Sequence, residues 1–388
     1  MPTGELNANP STHSPLRWNR AVATGFALLF VIIGLWSFVG NLLTPTGIDF
    51  ISFWSAGRFV LLGAPAAAYD IHLHHLMEQS AVSHVGLIPF PYPPPFLAIV
   101  TPFALTSFEI AFILWVVITA TFYAVAASRV VPLNYAFGNA PACIGSMIGQ
   151  SAFLMCGIFI LGVSLIPSAP FAAGTILGFM ALKPQLALLL PVAMLAGREW
   201  RVIGGAIGSA VIIFTVGVIL FGLPALEAFW RILPNYVEYV RDNRLPWYEL
   251  ASPFEVARSA GLPQSISLVI HILIAASATI LTARSWWLKL DERVPVLAAS
   301  TLLISPYVFT YDCLLIVIPI GWLVKEQRRP LLLAFIMTCS LIPVITSFSP
   351  WAVPNTMPLA AIACLYALHF KTVPGRSKEG SIAVSMAG

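Results

Sequence analysis

Charge is what this chain has least of. Its 388 residues include 20 basic and 16 acidic side chains, or 9% charged, against about 25% in an average soluble protein. A water-soluble globule of this length needs a polar skin, and so few charges cannot supply one. The shortage excludes a cytosolic enzyme, a disordered chain and a nucleic-acid binder. Cysteine is scarce as well. Cys143, Cys156, Cys313, Cys339 and Cys364 all lie in apolar stretches, without C-x-x-C spacing or a nearby histidine. They read as buried small apolar residues, so neither a disulfide framework nor a metal site is supported. No internal repeat and no Gly-rich phosphate cradle is visible. What is abundant is apolar: 59% of residues, with a mean hydropathy of +0.88. The expected class is an all-α, polytopic transmembrane protein.

The apolar runs set an expected topology. Residues 1–20 read as a cytoplasmic tail with Arg17 and Arg20, and residues 21–43 as a first, retained membrane helix. Residues 44–95 read as a first periplasmic loop. Within it, 50–62 and 71–85 are expected as short helices lying on the membrane surface, and the proline run 89–95 as a stiff extended entry to the next helix. Apolar segments follow at 96–106, 108–128, 136–149, 150–166, 168–182, 183–197, 202–221, 265–282, 295–305, 313–324, 331–345 and 352–368. Residues 222–263 form a second polar excursion. The charged turns 198–201, 284–293 and 325–329 are assigned to the cytoplasm by the positive-inside rule, as is the tail 371–388. With both ends inside, the thirteen segments must reduce to an even number, so about twelve membrane helices are expected. At least one segment is expected to be re-entrant or merged, and 96–106 and 136–149, each too short for a comfortable crossing, are the candidates.

Ionisable groups at membrane depth are expensive and therefore functional candidates. Asp49 follows the first helix directly. It reads either as an N-cap for the helix after it or as a general base. Arg58, nine residues on, reads as a snorkelling cation or a phosphate ligand. Asp70 reads as a cap or turn. His72, His74, His75 and His84 are expected on an exposed helix face rather than as metal ligands. Lys183, the sole lysine in the first 288 positions, suits an anionic partner such as a phosphate, with interfacial snorkelling as the alternative. Gln150 reads as glue between helices or as a sugar-hydroxyl partner. Asp312 reads as an N-cap or site residue, and Tyr307 and Tyr311 as interface-belt or site aromatics. All these clusters fall on the outer side of the expected topology.

In order, Asp49-Phe50, Arg58, Gly63, Tyr69-Asp70, Tyr92-Pro93-Pro94-Pro95, Gly149-Gln150, Lys183-Pro184-Gln185 and Ser305-Pro306 resemble glycosyltransferase family 87, over about residues 45–330. The resemblance implies a GT-C architecture, polytopic and helical, with juxtamembrane helices and a catalytic acid in the first outer loop (residues 21–370 forming one membrane domain). It implies inverting transfer of a sugar, mannose foremost, from a polyprenyl-phosphate donor to a lipid or glycan acceptor. The setting is the periplasmic face of a bacterial inner membrane, amid membrane lipids, with no nucleotide site and no cofactor. Asp49 then takes the base's place, Lys183 or Arg58 meets the leaving phosphate, and Tyr92, Gln150, Gln185, Tyr307, Tyr311 and Asp312 line the substrate. Two positions depart from the family pattern. Ala152 and Phe153 follow Ser151 where an Asn is usual, and Tyr311-Asp312 stand where a His is frequent. The competing class is a transporter or flippase of a lipid-linked or anionic solute, which calls for mid-membrane charges and repeat symmetry.

Overall fold

The computed structural model describes residues 14–43, 49–241, 249–326, 330–347 and 354–369. The two tails beyond these, residues 44–48 of the first loop, 242–248 of the second, and most of the basic turn 325–329 lie outside the described residues. So do the expectations placed on them. The first half comprises α1 (Ser14–Leu43), α2 (Phe50–Leu61), α3 (Ile71–Ala81), α4 (Pro95–Val100), α5 (Phe108–Ala127), α6 (Leu133–Phe137), α7 (Ala140–Ile148) and α8 (Ala152–Leu165). The second comprises α9 (Pro170–Leu177), α10 (Leu190–Gly197), α11 (Trp200–Arg241), α12 (Pro253–Ser259), α13 (Gln264–Trp287), α14 (Arg293–Ile304), α15 (Val317–Lys325), α16 (Pro330–Ser347) and α17 (Met357–His369). Short 3-10 turns join several of them. The described residues hold no strand, only an isolated antiparallel bridge between Leu250 and Phe309.

Among the described residues, three helices are long and apolar enough to cross a membrane: Phe108–Ala127, Trp200–Pro234 and Gln264–Trp287. Their outer faces carry exposed Val117, Ile118, Val211, Ile219, Ile272 and Leu273, a surface suited to lipid rather than water. The remaining apolar helices are shorter, so the fold is a helical membrane architecture in which twelve full crossings are not evident. The two candidates for re-entrant pieces fold as short helices. Residues 96–106 fold as the six-residue α4 and a 3-10 turn, and 136–149 contain the nine-residue α7. Neither length reaches across about 30 Å of hydrocarbon at about 1.5 Å per residue.

Two expectations about the outer loops are corrected. The helix at 50–62 is not a surface helix. Residues Phe50 to Gly57 of α2 are all buried, and its aromatics form the centre of the core. Phe50 lies 5.8 Å from both Phe112 and Trp115, and Phe53 lies 5.2 Å from Tyr92, between ring centroids. A helix with this many large apolar side chains minimises exposed area by being enclosed. The second excursion is not wholly loop either. The backbone leaves helical geometry at Gly222 (φ 79°) and then resumes its helix to Arg241. This distal half of α11 packs back over the first loop, with Phe229 5.9 Å from Tyr69. The five cysteines are buried and free, as expected.

Candidate active site

The site is assembled from five stretches of chain, each shaped by its local sequence. Asp49 begins α2 but does not cap it: no cap hydrogen bond runs from its side chain. Its carboxylate instead accepts from Gln150, with Nε2 2.7 Å from Oδ2. The reason Gln150 reaches it is Gly149. That residue ends α7 in the left-handed conformation (φ 69°). A Cβ there would come within 2.7 Å of Phe50 and Phe112, so only glycine lets the turn sit against the start of α2. The amide of Gln150 is oriented by its other end. Oε1 accepts from the Tyr92 hydroxyl at 3.2 Å and from the Ser151 amide at 3.2 Å. The donor end is thereby committed to Asp49.

Tyr92 is set between prolines in an extended segment. Its ring stacks on Phe96 at 4.2 Å, and its carbonyl accepts from the Tyr69 hydroxyl at 3.1 Å. Its own hydroxyl shares a hydrogen bond with Ser151 Oγ at 2.7 Å. Lys183 arrives on the far side of Ser151, donating to Oγ at 3.5 Å. Pro184 forces the residue before it out of helical geometry. Lys183 accordingly sits at φ −139°, ψ 73°, between two 3-10 turns, and its side chain enters the pocket. There Nζ donates to Asp312 Oδ1 at 2.5 Å and lies 4.8 Å from the Tyr311 ring. Asp312 is therefore no helix cap. It is the counterion of a buried lysine, and its Oδ2 has no hydrogen-bond partner among the described residues. A continuous polar chain thus runs Asp49, Gln150, Tyr92, Ser151, Lys183, Asp312.

Burial dominates the electrostatics of Asp49. It lifts the carboxyl from 3.8 to about 6, because desolvation penalises the charged form. The Gln150 hydrogen bond and the charge of Lys183 oppose the lift, and the charge of Glu78 adds to it. A carboxylate with this value is ionised near neutrality yet basic enough to accept a proton.

The structure separates the remaining sequence candidates. Tyr311 is buried against Phe309, 5.2 Å away and parallel, beside the lysine. Gln185 is half-buried in the 3-10 turn after Lys183, and Tyr307 is half-buried two residues beyond Ser305. Neither joins the hydrogen-bonded chain. Arg58 stands near the other end of α2, about 13 Å along the axis from Asp49. It lies over the Trp54 ring at 5.6 Å and donates to the Ala104 carbonyl at 3.5 Å. Asp70 caps α3, accepting from the His72 and Leu73 amides at 3.0 Å each. The histidines divide. His72 and His84 are exposed as expected. His74 is buried 3.5 Å from Glu78, and half-buried His75 lies 3.3 Å from the same carboxylate. Glu78 also accepts from the Ile88 amide, so these groups secure the first loop. Among the described residues no cluster of three or more potential ligands could hold a metal ion.

Three participants escaped the sequence reading. Ser151 was seen only as a neighbour of Gln150, yet it bridges Tyr92 and Lys183. Tyr236, on the distal half of α11, sits among Tyr92, Asp49, Asp312 and Glu249, whose charges add to the burial that raises its phenol. Burial, and after it the charge of Asp49, raise the Glu249 carboxyl. The available signal was the acid beside Trp247-Tyr248 in the second polar outer segment.

No curated protein and no solved structure matches the chain. The model of glycosyltransferase family 87 matches residues 90–306, a stretch that contains Tyr92, Gln150, Lys183, Gln185, Tyr236 and Glu249, with Asp49 and Asp312 flanking it. Because the match covers more than half of the sequence, and because the residues it contains build one polar pocket, the chain belongs to glycosyltransferase family 87.

Proposed function

We propose that this glycosyltransferase moves a sugar, mannose foremost, from a polyprenyl-phosphate donor to a lipid or glycan acceptor by an inverting single displacement. The reaction takes place on the periplasmic face of a bacterial inner membrane. One observation carries the reading: the Asp49 carboxylate is withheld from helix capping and held by Gln150 from a distant part of the chain. Among the described residues the hydrogen bond to this carboxylate falls on Oδ2, and the reading gives Oδ1 to a substrate hydroxyl.

In this reading Asp49 takes the proton of the acceptor hydroxyl as that oxygen bonds to the anomeric carbon. The bond from the anomeric carbon to the phosphate oxygen breaks, and its electron pair leaves with the polyprenyl phosphate. Lys183 supplies the positive charge that the departing phosphate requires. Its partnership with Asp312 aims the lysine into the pocket. The phosphate then competes with Asp312 for Nζ, or shares it. Arg58, engaged by Trp54 and the Ala104 carbonyl, is left out of this role. Tyr92, Gln150 and Tyr311 line the substrate, as does Asp312 through its unpartnered oxygen.

Proteoliposomes holding the full chain test the reading. Polyprenyl-phosphate-mannose and a lipid acceptor are expected to give a product of inverted anomeric configuration. A nucleotide sugar is expected to give none. Equal transfer from the nucleotide sugar would overturn the donor assignment. A product of retained configuration would overturn the single displacement.

A further inference from the structure

Glu78 is the most enclosed carboxylate of the first loop, and it takes no part in the transfer chemistry described above. It sits on α3 with its side chain fully buried. Both of its oxygens accept from the Ile88 amide, at 3.3 Å each. Half-buried His75 lies 3.3 Å from Oε2, and buried His74 lies 3.5 Å from Oε1. His75 is steadied in turn by the Gln79 amide, 3.0 Å from its other ring nitrogen. A carboxylate taken out of water is destabilising unless its partners are well placed, and apolar packing would pin a loop without that penalty. A buried acid kept at this position calls for a reason beyond holding the loop.

The amide that Glu78 holds begins the segment that delivers Tyr92. Residues 88–95 read Ile-Pro-Phe-Pro-Tyr-Pro-Pro-Pro. The prolines carry no N–H and fix their own φ, so only Ile88, Phe90 and Tyr92 have amides with which to fasten this run. An extended proline-rich run is stiff. It passes a displacement at Ile88 on to Tyr92 rather than absorbing it. Side chains reinforce the link. The His74 ring stacks on Phe59 and on Phe90, at 6.5 and 6.4 Å between centroids. Phe90 in turn lies 5.7 Å from both Tyr69 and Tyr92. From there the relay is hydrogen-bonded: the Tyr92 hydroxyl donates to Gln150 Oε1, and Gln150 Nε2 donates to Asp49 Oδ2.

Resting on the reading of Asp49 as the base, we propose that Glu78 is a positioning residue for the transfer: by holding the Ile88 amide it fixes the proline segment, so that Tyr92 orients Gln150 and Gln150 orients Asp49. Glu78 touches neither substrate, and no bond forms or breaks there. Without the anchor the Tyr92 hydroxyl moves relative to Gln150 Oε1, and the Gln150 amide no longer fixes which oxygen Asp49 turns to the acceptor hydroxyl. A misplacement of about 1 Å at a reacting group, caused from far away, costs up to about 10²-fold in rate.

Steady-state transfer by the full chain in proteoliposomes tests this. Glu78→Ala is expected to lower kcat by about tenfold to a hundredfold. The KM for the polyprenyl-phosphate donor is expected to stay near wild type, because Lys183 keeps Asp312. Glu78→Gln retains an oxygen for the Ile88 amide and is expected to restore most of the rate. Ile88→Pro removes the same hydrogen bond from its other end and leaves Glu78 in place. It is expected to match Glu78→Ala, and it gives the answer if the alanine variant does not fold. A relay through Tyr92 also makes the losses non-additive. In a Tyr92→Phe background, Glu78→Ala is expected to add no further loss. Losses that multiply in the double variant would overturn the positioning role, as would a wild-type kcat in Ile88→Pro. Either result leaves the base reading intact while Asp49→Asn remains slow. Wild-type transfer by Asp49→Asn would overturn both.

Discussion

Asp49 and Asp70 stand at the starts of two helices in the same outer loop, and they spend their carboxylates differently. Asp70 accepts from the amides two and three residues ahead, so its partner is local and its effect ends with α3. Asp49 accepts from a glutamine one hundred and one positions away and leaves its own helix uncapped. An acid that forgoes the local hydrogen bond has been placed by tertiary structure, and it stays available to a substrate. The contrast between Lys183 and Arg58 is of the same kind. Lys183 is buried in the polar chain with a carboxylate partner, whereas Arg58 lies along an indole near the far end of α2.

Breaking the first contrast gives the largest effect. Asp49→Asn preserves the shape and the Gln150 neighbourhood but removes the base. Transfer from the polyprenyl-phosphate donor is expected to fall by about 10²–10⁴-fold in proteoliposomes, while Asp70→Asn leaves it near wild type. Equal losses in the two variants would erase the distinction. Next comes Lys183→Ala, which strands a buried Asp312. Stability is expected to drop by about 3–5 kcal/mol in thermal unfolding, together with donor binding. Combining Lys183→Met with Asp312→Leu is expected to recover the stability but not the binding.

The pH profile sharpens the role of Asp49. A base works ionised, and burial holds this carboxyl up at about 6. The rate of transfer is therefore expected to rise about tenfold per pH unit below that value and to level off above it. The rising limb should vanish with the residual activity of Asp49→Asn. For stability the sign is reversed. A raised folded-state value makes the ionised form costly, so the contribution of Asp49 to folding declines as pH climbs from about 4 to about 6. Smaller again is Asp70→Ala, expected to cost about 1 kcal/mol in stability through loss of the α3 cap. Smallest is Arg58→Ala, expected to cost about 0.5–1 kcal/mol through the lost indole contact, with donor binding unchanged. Weakened donor binding in that variant would return Arg58 to the phosphate site.

Much of this was legible in the residues. Low charge and long apolar runs announced a helical membrane architecture, because side-chain transfer energies depend on composition more than on partners. A proline and a glycine also shape the site locally. Pro184 throws Lys183 out of helical geometry, and Gly149 marks the turn that delivers Gln150. What composition could not give was which face meets what. The 50–62 segment reads as a surface helix because it is amphipathic and too short to span. In the fold it is enclosed by α4, α5 and the proline segment. His74 read as exposed for the same reason and is buried beside Glu78. The roles of Ser151, Tyr236 and Glu249 depend on which loops lie together, and no local pattern encodes that.

The sequence by itself determined the solvent in which this chain lives, the helical class that solvent demands, and the short set of polar groups costly enough there to have a purpose. The tertiary structure alone decided which of those groups meet. It joined Asp49 to Gln150, gave Lys183 to Asp312 rather than leaving it free, and brought Glu249 in from the second loop. The physical reason is the reach of the interactions. Transfer free energies and backbone preferences act within a residue or a turn, whereas a hydrogen bond between distant segments exists only once packing has brought its two ends within about 3 Å.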